Sequence, residues 1–143
     1  MNSQDDKPII YLTANDLYDI NAQVTGALPF VRDRNMLQYA VRRPRLSLFG
    51  EPQFPSVLDK AAALMHSLAY HHLFADGNKR TAIRAVTRFL ELNKIQPIWD
   101  EGTEYEFVLS VAKGEQTTDS IAEWLFTYSQ TEPPKNEDSD YQP

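Results

Sequence analysis

Apolar residues recur along this chain at helical spacing, in blocks separated by glycine, proline and short polar residues. Leu17, Ile20 and Val24 lie three or four apart, which is one face of a helix with 3.6 residues per turn. Thr13 and Asp16 precede them as a capping box, with Asp as a shorter stand-in for Glu. Gly26 marks the stop. Asp33 predicts the cap of a second, short helix carrying Met36, Leu37, Ala40 and Val41. It must end before Pro44, because a residue preceding proline is pushed out of helical geometry. Ser56 and Asp59 repeat the box ahead of the strongest stripe, Val57, Ala61, Leu64, Met65 and Leu68. The small residues Ala61, Ala62, Ala63 and Ala69 allow close approach of neighbours, so this segment predicts a central helix ending near Tyr70–His72.

A fourth helix starts around Gly77–Asn78, with Ala82, Ile83, Val86, Phe89 and Leu90 on its apolar face. It ends near Asn93, a residue that tolerates the left-handed conformation. The stretch "IQPIW" reads as short and extended. Thr103 and Glu106 predict the opening of a fifth helix that stops at Gly114. Ile121, Trp124, Leu125 and Tyr128 mark a sixth. The fold class that follows is all-α, a compact bundle of about six helices over residues 9–130. Residues 1–8 read as a flexible N-terminus. Residues 131–143 are acidic and proline-rich without apolar periodicity, which predicts disorder.

The stretch "PRLSLFGEPQFP", residues 44–55, breaks the helical pattern with three prolines and a glycine. It predicts a flap-like loop. Leu46, Leu48, Phe49 and Phe54 are too many apolar groups for a solvated linker. They either tuck onto the body or face a substrate, and the pattern favours neither.

Composition narrows the function. The chain has 143 residues, enough for one domain with a real core. It has no cysteine, which excludes a disulfide framework and a thiolate metal site. Net charge is −6, and the tail from Glu132 to Pro143 holds four acids against Lys135. That balance argues against nonspecific nucleic-acid binding, which needs phosphate-neutralising cations. No apolar run reaches membrane-span length, and "MNSQDDKPII" lacks a signal-peptide core. The expectation is a soluble, intracellular protein with no membrane or nucleic-acid partner.

The chemistry concentrates in "HHLFADGNKRTAIR", His71 to Arg84. Two strong helices flank residues 71–77, so the polar groups gather at a helix N-terminus. Such an end has unpaired N–H groups and a positive dipole, and binds phosphate readily. Gly77 lets a phosphate approach the backbone and can take positive φ. Lys79 and Arg80 oppose the dipole in a first turn, a penalty that an anionic ligand removes. Asp76 beside phosphates is a natural Mg²⁺ ligand, and His72 suits a general base near neutral pH. Asn78 adds a donor and an acceptor. Phe74 reads as an inward anchor of the turn. Each polar residue alone has a plain explanation as a cap or a solvated side chain; gathered at one helix start, they favour a ligand site. The set suits phosphoryl or nucleotidyl transfer.

Two rival motifs fit less well. A P-loop needs a glycine five residues before its Gly-Lys pair, and Gly77 is followed by Asn78. A metal hydrolase would recruit His66, His71, His72 and Asp76. However, a five-residue step from His66 to His71 leaves one helix face. Arg42, Arg43 and Arg45 form a second basic cluster. It reads as a solvated helix end, with docking of an acidic target or partner as the alternative.

The run His72, Leu73, Phe74, Ala75, Asp76, Gly77, Asn78, Lys79, Arg80 resembles the Fic/Doc superfamily motif. Lysine in place of the second Fic glycine is similar to the Doc (death-on-curing) branch. "VRDRNMLQYAVRRPRLSLFGE", "DKAAALMHSLAYHHLFADGNKRTA", "RFLELNK", "VAKGE" and "IAEWL" extend the resemblance over roughly Ile9 to Trp124.

The resemblance implies a toxin of a bacterial toxin–antitoxin pair, cytoplasmic and built as a helical bundle. With ATP and Mg²⁺ as cofactors, it would transfer the γ-phosphate to a hydroxyl side chain of a translation factor, elongation factor Tu in the first instance. His72 would be the base and Asp76 would hold the metal. Gly77 and Asn78 would build the phosphate cradle, and Lys79 and Arg80 would bind phosphates. In the Doc branch the lysine is thought to turn the nucleotide so that the γ-phosphate faces the histidine.

The alternatives on the same fold are AMP transfer and a noncatalytic binding module. Departures from the Fic pattern are Leu73 for proline and Ile83 at the second arginine, with Arg84 one position later and about 100° away on the helix. Tyr70 stands where the type member of the Doc branch carries arginine. A self-inhibitory S/T-x-x-x-E-G/N helix is not found, which fits inhibition by a separate antitoxin whose segment folds on binding.

Overall fold

The computed structural model describes residues 7–100 and 102–131. Six helices carry the architecture: α1 (Ala14–Thr25), α2 (Arg34–Arg42), α3 (Val57–Tyr70), α4 (Asn78–Leu92), α5 (Thr103–Ala112) and α6 (Thr118–Thr127). Helix α3 is the axis of the bundle. Nine of its 14 residues are buried, and it packs against α2, α4, α5 and α6. The alanines at 61–63 are fully buried, which is how a central helix admits neighbours on every side. Phe89, Leu90 and Val86 of α4, Val108 and Val111 of α5, and Ile121 and Leu125 of α6 complete the core with Leu17 and Ile20 of α1.

The expected caps at the starts of α1, α2 and α3 are formed. Thr13 and Asp16 exchange reciprocal bonds, as do Ser56 and Asp59, and Asp33 Oδ1 accepts from Met36 N. Gly26 ends α1 at φ +70, with its N–H on the Ala22 carbonyl at 2.8 Å.

Two expected ends shift. Thr103 is the first residue of α5 and does not cap it; Gly102 is the cap, and its N–H is bound by Glu104 Oε1 at 3.1 Å. At the end of α4 the left-handed residue is Lys94 (φ +67), not Asn93 (φ −106). The Asn93 amide does another task. It bonds the Phe89 carbonyl and both backbone groups of Ile10, tying the chain's start to the end of α4.

Two small antiparallel pairs add to the all-α bundle. Strands β1 (Ser47–Leu48) and β2 (Glu51–Pro52) make the flap-like hairpin. Its turn is Phe49–Gly50, both at positive φ, the geometry that matches strand twist in a two-residue loop. The apolar groups of this segment divide. Leu46 and Phe54 at the base are half-buried, whereas Phe49 at the tip is 96% exposed. Lys60 of α3 holds the base: its buried Nζ donates to the carbonyls of Pro44 (3.2 Å) and Phe54 (2.6 Å).

Strands β3 (Ile95–Pro97) and β4 (Ser129–Thr131) form the second pair, with Ile95 opposite Thr131. Thr131 therefore belongs to the fold. The rest of the predicted tail, and residues 1–6 of the predicted flexible start, lie outside the described residues. Helix α2 ends at Arg42, ahead of Pro44 as expected, and a separate 3-10 turn, Arg43–Arg45, follows it.

The arginines around that turn are not all solvated, as the sequence suggested. Arg43 donates to His66 Nδ1 (2.9 Å) and Ser67 Oγ (3.1 Å) and lies near the Tyr39 and Phe54 rings. Arg45 stands 4.0 Å from the centre of the Tyr11 ring. A planar guanidinium stacks on aromatics, and sequence spacing does not reveal which ring folds beneath it. Arg42 and Arg45 remain exposed.

Candidate active site

The segment from His71 to Gly77 connects the central helix α3 to α4, and three sets of bonds hold its shape. His71 closes α3 in extended geometry (φ −94, ψ 144). Leu73 and Phe74 then turn fully inward, which bears out the anchoring role expected of Phe74. The same two residues meet the segment before α2 edge to edge. Arg32 N donates to the Leu73 carbonyl at 2.7 Å, Ala75 N donates to the Phe30 carbonyl at 3.0 Å, and Val31 and Phe74 form an isolated bridge. This bridge fixes the turn without the proline that the Fic motif has at Leu73.

Asn78 makes the second set. Its Oδ1 accepts from Phe74 N at 3.0 Å and its Nδ2 donates to the Phe74 carbonyl at 2.8 Å. The amide therefore folds the loop onto the helix start, and the Asn78 backbone N–H remains open to a ligand.

The third set comes from α1, and the motif gave no sign of it. Asn21 is buried, 2% exposed. Its Nδ2 donates to the Asp76 carbonyl at 2.8 Å and to Thr81 Oγ1 at 3.0 Å. It thus fixes the backbone beneath the candidate metal carboxylate. One signal was available in the sequence. Asn21 lies on the apolar stripe of Leu17, Ile20 and Val24, where an amide needs buried partners.

Gly77 caps α4 at φ +77. A Cβ there would lie 2.6 Å from Thr25 Cγ2 and 3.3 Å from Asn21 Nδ2. Close packing against α1 thus demands glycine here, in addition to any approach by a phosphate.

These contacts leave a start of α4 with no side-chain cap, whereas Thr13, Asp33, Ser56 and Thr117 cap α1, α2, α3 and α6. Around it the expected residues divide. His72 and Asp76 are exposed on the same loop, and Lys79 is half-buried in the first turn. Asp76 Oδ1 accepts from Gly77 N at 2.8 Å. Arg80 is exposed, but its Nη1 donates to the Val24 carbonyl at 2.6 Å. It thereby closes the end of α1, where the dipole favours a cation. Ile83 is half-buried and Arg84 points to the exposed side of α4.

His66, His71 and Tyr70 form an aromatic cluster beside the loop. His66 stacks on Tyr70 at 5.3 Å, and His71 meets Tyr70 edge-on at 5.2 Å. Burial lowers the pKa of both histidines, and Arg43 lowers them further. At His66 the neighbouring His71 adds to the effect; at His71 the carboxylate of Asp33 opposes it and His72 adds to it. Because a guanidinium only donates, His66 Nδ1 must be the acceptor of the Arg43 bond. A cation bound to that nitrogen makes His66 a poor metal ligand. Among the described residues, no three His, Cys, Asp or Glu side chains gather where a metal could bind. Asp76 is therefore a lone carboxylate, suited to Mg²⁺ that arrives with phosphate oxygens and water, not to a resident all-protein site.

A family model described as the Fic/DOC family matches residues 11–90. The chain belongs to the Fic/Doc family. Among its relatives, toxin Doc of Mycolicibacterium smegmatis is 38% identical over 114 residues, 78% of this chain and 88% of that protein. The protein kinase doc of Escherichia phage P1 is 28% identical over 109 residues, 76% of this chain and 85% of its own length. The matched span holds α1 to α3, α4 as far as Leu90, and the whole of the motif loop. It therefore includes Asn21 and Thr25 as well as His72 to Arg80. No helix among the described residues is long and apolar enough to cross a membrane.

Proposed function

We propose that this protein is a Doc-type toxin that phosphorylates a hydroxyl side chain of a translation factor, with elongation factor Tu the first candidate. The supporting observation is the exposed His72 on a hydrogen-bonded loop beside a helix start that has no side-chain cap and carries Lys79 and Arg80. The relative named as a protein kinase supports the same reaction class.

The phosphates of ATP would lie against the first-turn N–H groups of α4, with Lys79 and the free nitrogens of Arg80 as countercharges. His72 would take the proton of the target hydroxyl as its oxygen attacks the γ-phosphorus and the bond to ADP breaks. Mg²⁺ bound with the nucleotide would neutralise charge on the phosphates, and Asp76 is the residue that would hold it. Asn78 and Asn21 would keep the loop in place and touch no substrate through their side chains. The partner that silences the toxin would be an antitoxin supplying an inhibitory segment in trans.

The test is to incubate the purified protein with ATP, Mg²⁺ and a bacterial extract, and to read modified proteins by intact and peptide mass. A phosphate-sized addition to a translation factor is expected. His72→Ala should lower its rate by roughly 10²–10⁴-fold while leaving the urea midpoint unchanged, since His72 is exposed. An AMP-sized addition would replace the kinase reading with nucleotidyl transfer. Undiminished modification by His72→Ala would remove the histidine from the mechanism. No addition, in an extract where a known Doc kinase works, would point to a binding module.

A further inference from the structure

Helix α4 carries Arg80, Arg84 and Arg88 at intervals of four residues, and all three are exposed. At that spacing they stack on one side of the helix, where like charges repel and weaken it unless an anion lies across them. Glu91 follows Arg88 by three residues and offsets one charge. Arg80 already directs one nitrogen to the Val24 carbonyl. The open part of the stripe is therefore centred on Arg84 and Arg88. With Thr87, Glu91 and Leu92 they line a shallow groove of about 420 Å³.

The described chain ends near the C-terminal end of α4. Strand β3 begins at Ile95, three residues beyond the end of α4, and β4 runs antiparallel to it with Thr131 opposite Ile95. The chain thus leaves β4 beside the C-terminal end of α4, with Lys94 exposed in the turn between. Residues 132–143 follow, with Glu132, Glu137, Asp138 and Asp140 against the single Lys135. Twelve extended residues reach about 40 Å, whereas Arg80 to Leu92 spans about 18 Å of helix. Length is not limiting, and the tether holds the carboxylates at an effective concentration on the order of millimolar.

We propose that segment 132–143 docks along the arginine stripe of α4, with its carboxylates against Arg84 and Arg88. The docking is electrostatic and intramolecular, and it weakens as salt rises. It stands apart from the kinase reading, because neither arginine has a role in the proposed reaction.

The absence of cysteine allows a single spin label at Ser139→Cys in the full chain, which leaves the tail charge unchanged. Amide spectra with the label oxidised and reduced should show intensity loss concentrated on Arg84, Thr87 and Arg88. The loss should vanish at high salt and in the Arg84→Gln/Arg88→Gln variant, whose substitutions are on exposed positions. Loss centred on another element, spread evenly over the surface, or unchanged in that variant overturns the proposal. A mixture of labelled chains with isotope-enriched unlabelled chains provides the control. Equal loss there would mean that a second copy covers the stripe, which also overturns it.

Discussion

Replacing Gly77 with alanine separates two demands that coincide at this residue. The first is conformational, since φ is +77 and an L-residue in the left-handed region costs roughly 1–2 kcal/mol. The second is steric: the new Cβ would meet Thr25 Cγ2 at 2.6 Å, and overpacking of that kind costs typically about 1–3 kcal/mol. The lower backbone entropy of the unfolded alanine chain returns about 0.4–1 kcal/mol. Gly77→Ala should therefore destabilise the protein by about 3 kcal/mol.

Gly26→Ala is the internal control. It shares the strain at φ +70 but has nothing within 4 Å, so about 1 kcal/mol is expected. Urea unfolding with an unchanged m-value reads both. The Thr25→Ser background isolates the steric part. Serine lacks the offending Cγ2 and retains the hydroxyl that donates to the Asn21 carbonyl at 2.8 Å. In that background Gly77→Ala should recover about 1–2 kcal/mol as a coupling energy. If Gly77→Ala and Gly26→Ala cost the same, or if Thr25→Ser recovers nothing, the contact between the motif loop and α1 does not constrain residue 77.

Asn21→Ala removes the donor to the Asp76 carbonyl and to Thr81 Oγ1 inside a buried site, which should cost about 2–3 kcal/mol. Amide exchange at Gly77 and Ala75 should rise with it. A change below about 0.5 kcal/mol would show that the loop is held without Asn21. Stability should also depend on His66 and His71, whose pKa values in the folded protein are held below 6.5. As pH falls through 6.5 the unfolded chain takes up protons first. Their contribution is therefore full above that pH, is lost as pH falls toward the lowered folded values, and levels off below them. Melting temperatures should fall on acidification through this window. His66→Gln keeps an acceptor for Arg43 without a titrating ring, and should flatten the slope; an unchanged slope would assign the effect to other groups.

Much of the bundle was legible because its cues are local. A threonine or serine three residues ahead of a carboxylate makes a capping box wherever the chain goes, and Thr13 and Ser56 do so. The stripe of α3 announces a central helix because only alanines permit close approach on several sides. The motif loop was legible as a string of residue types around a helix start. Which atoms of those residues are free for a ligand was not. Asn78 spends its amide on Phe74, and Arg80 lends a nitrogen to α1. Both results depend on which backbone groups arrive nearby when the helices pack. The same holds for Arg43, which spacing marks as a solvated helix end and packing turns toward His66.

Residue types and their periodicity decide where helices begin, which faces are apolar, and that cations, a histidine and a carboxylate share one helix start. Those properties act over a few residues, so the linear chain contains them. Tertiary packing alone decides that α1 lies under the motif loop. It brings Asn21 within 2.8 Å of the Asp76 carbonyl across 55 residues of sequence. It leaves Gly77 no room for a side chain, and it returns β4 to the end of α4. Long-range contacts select one partner among many of the same chemical type, and nothing in local propensity ranks those partners.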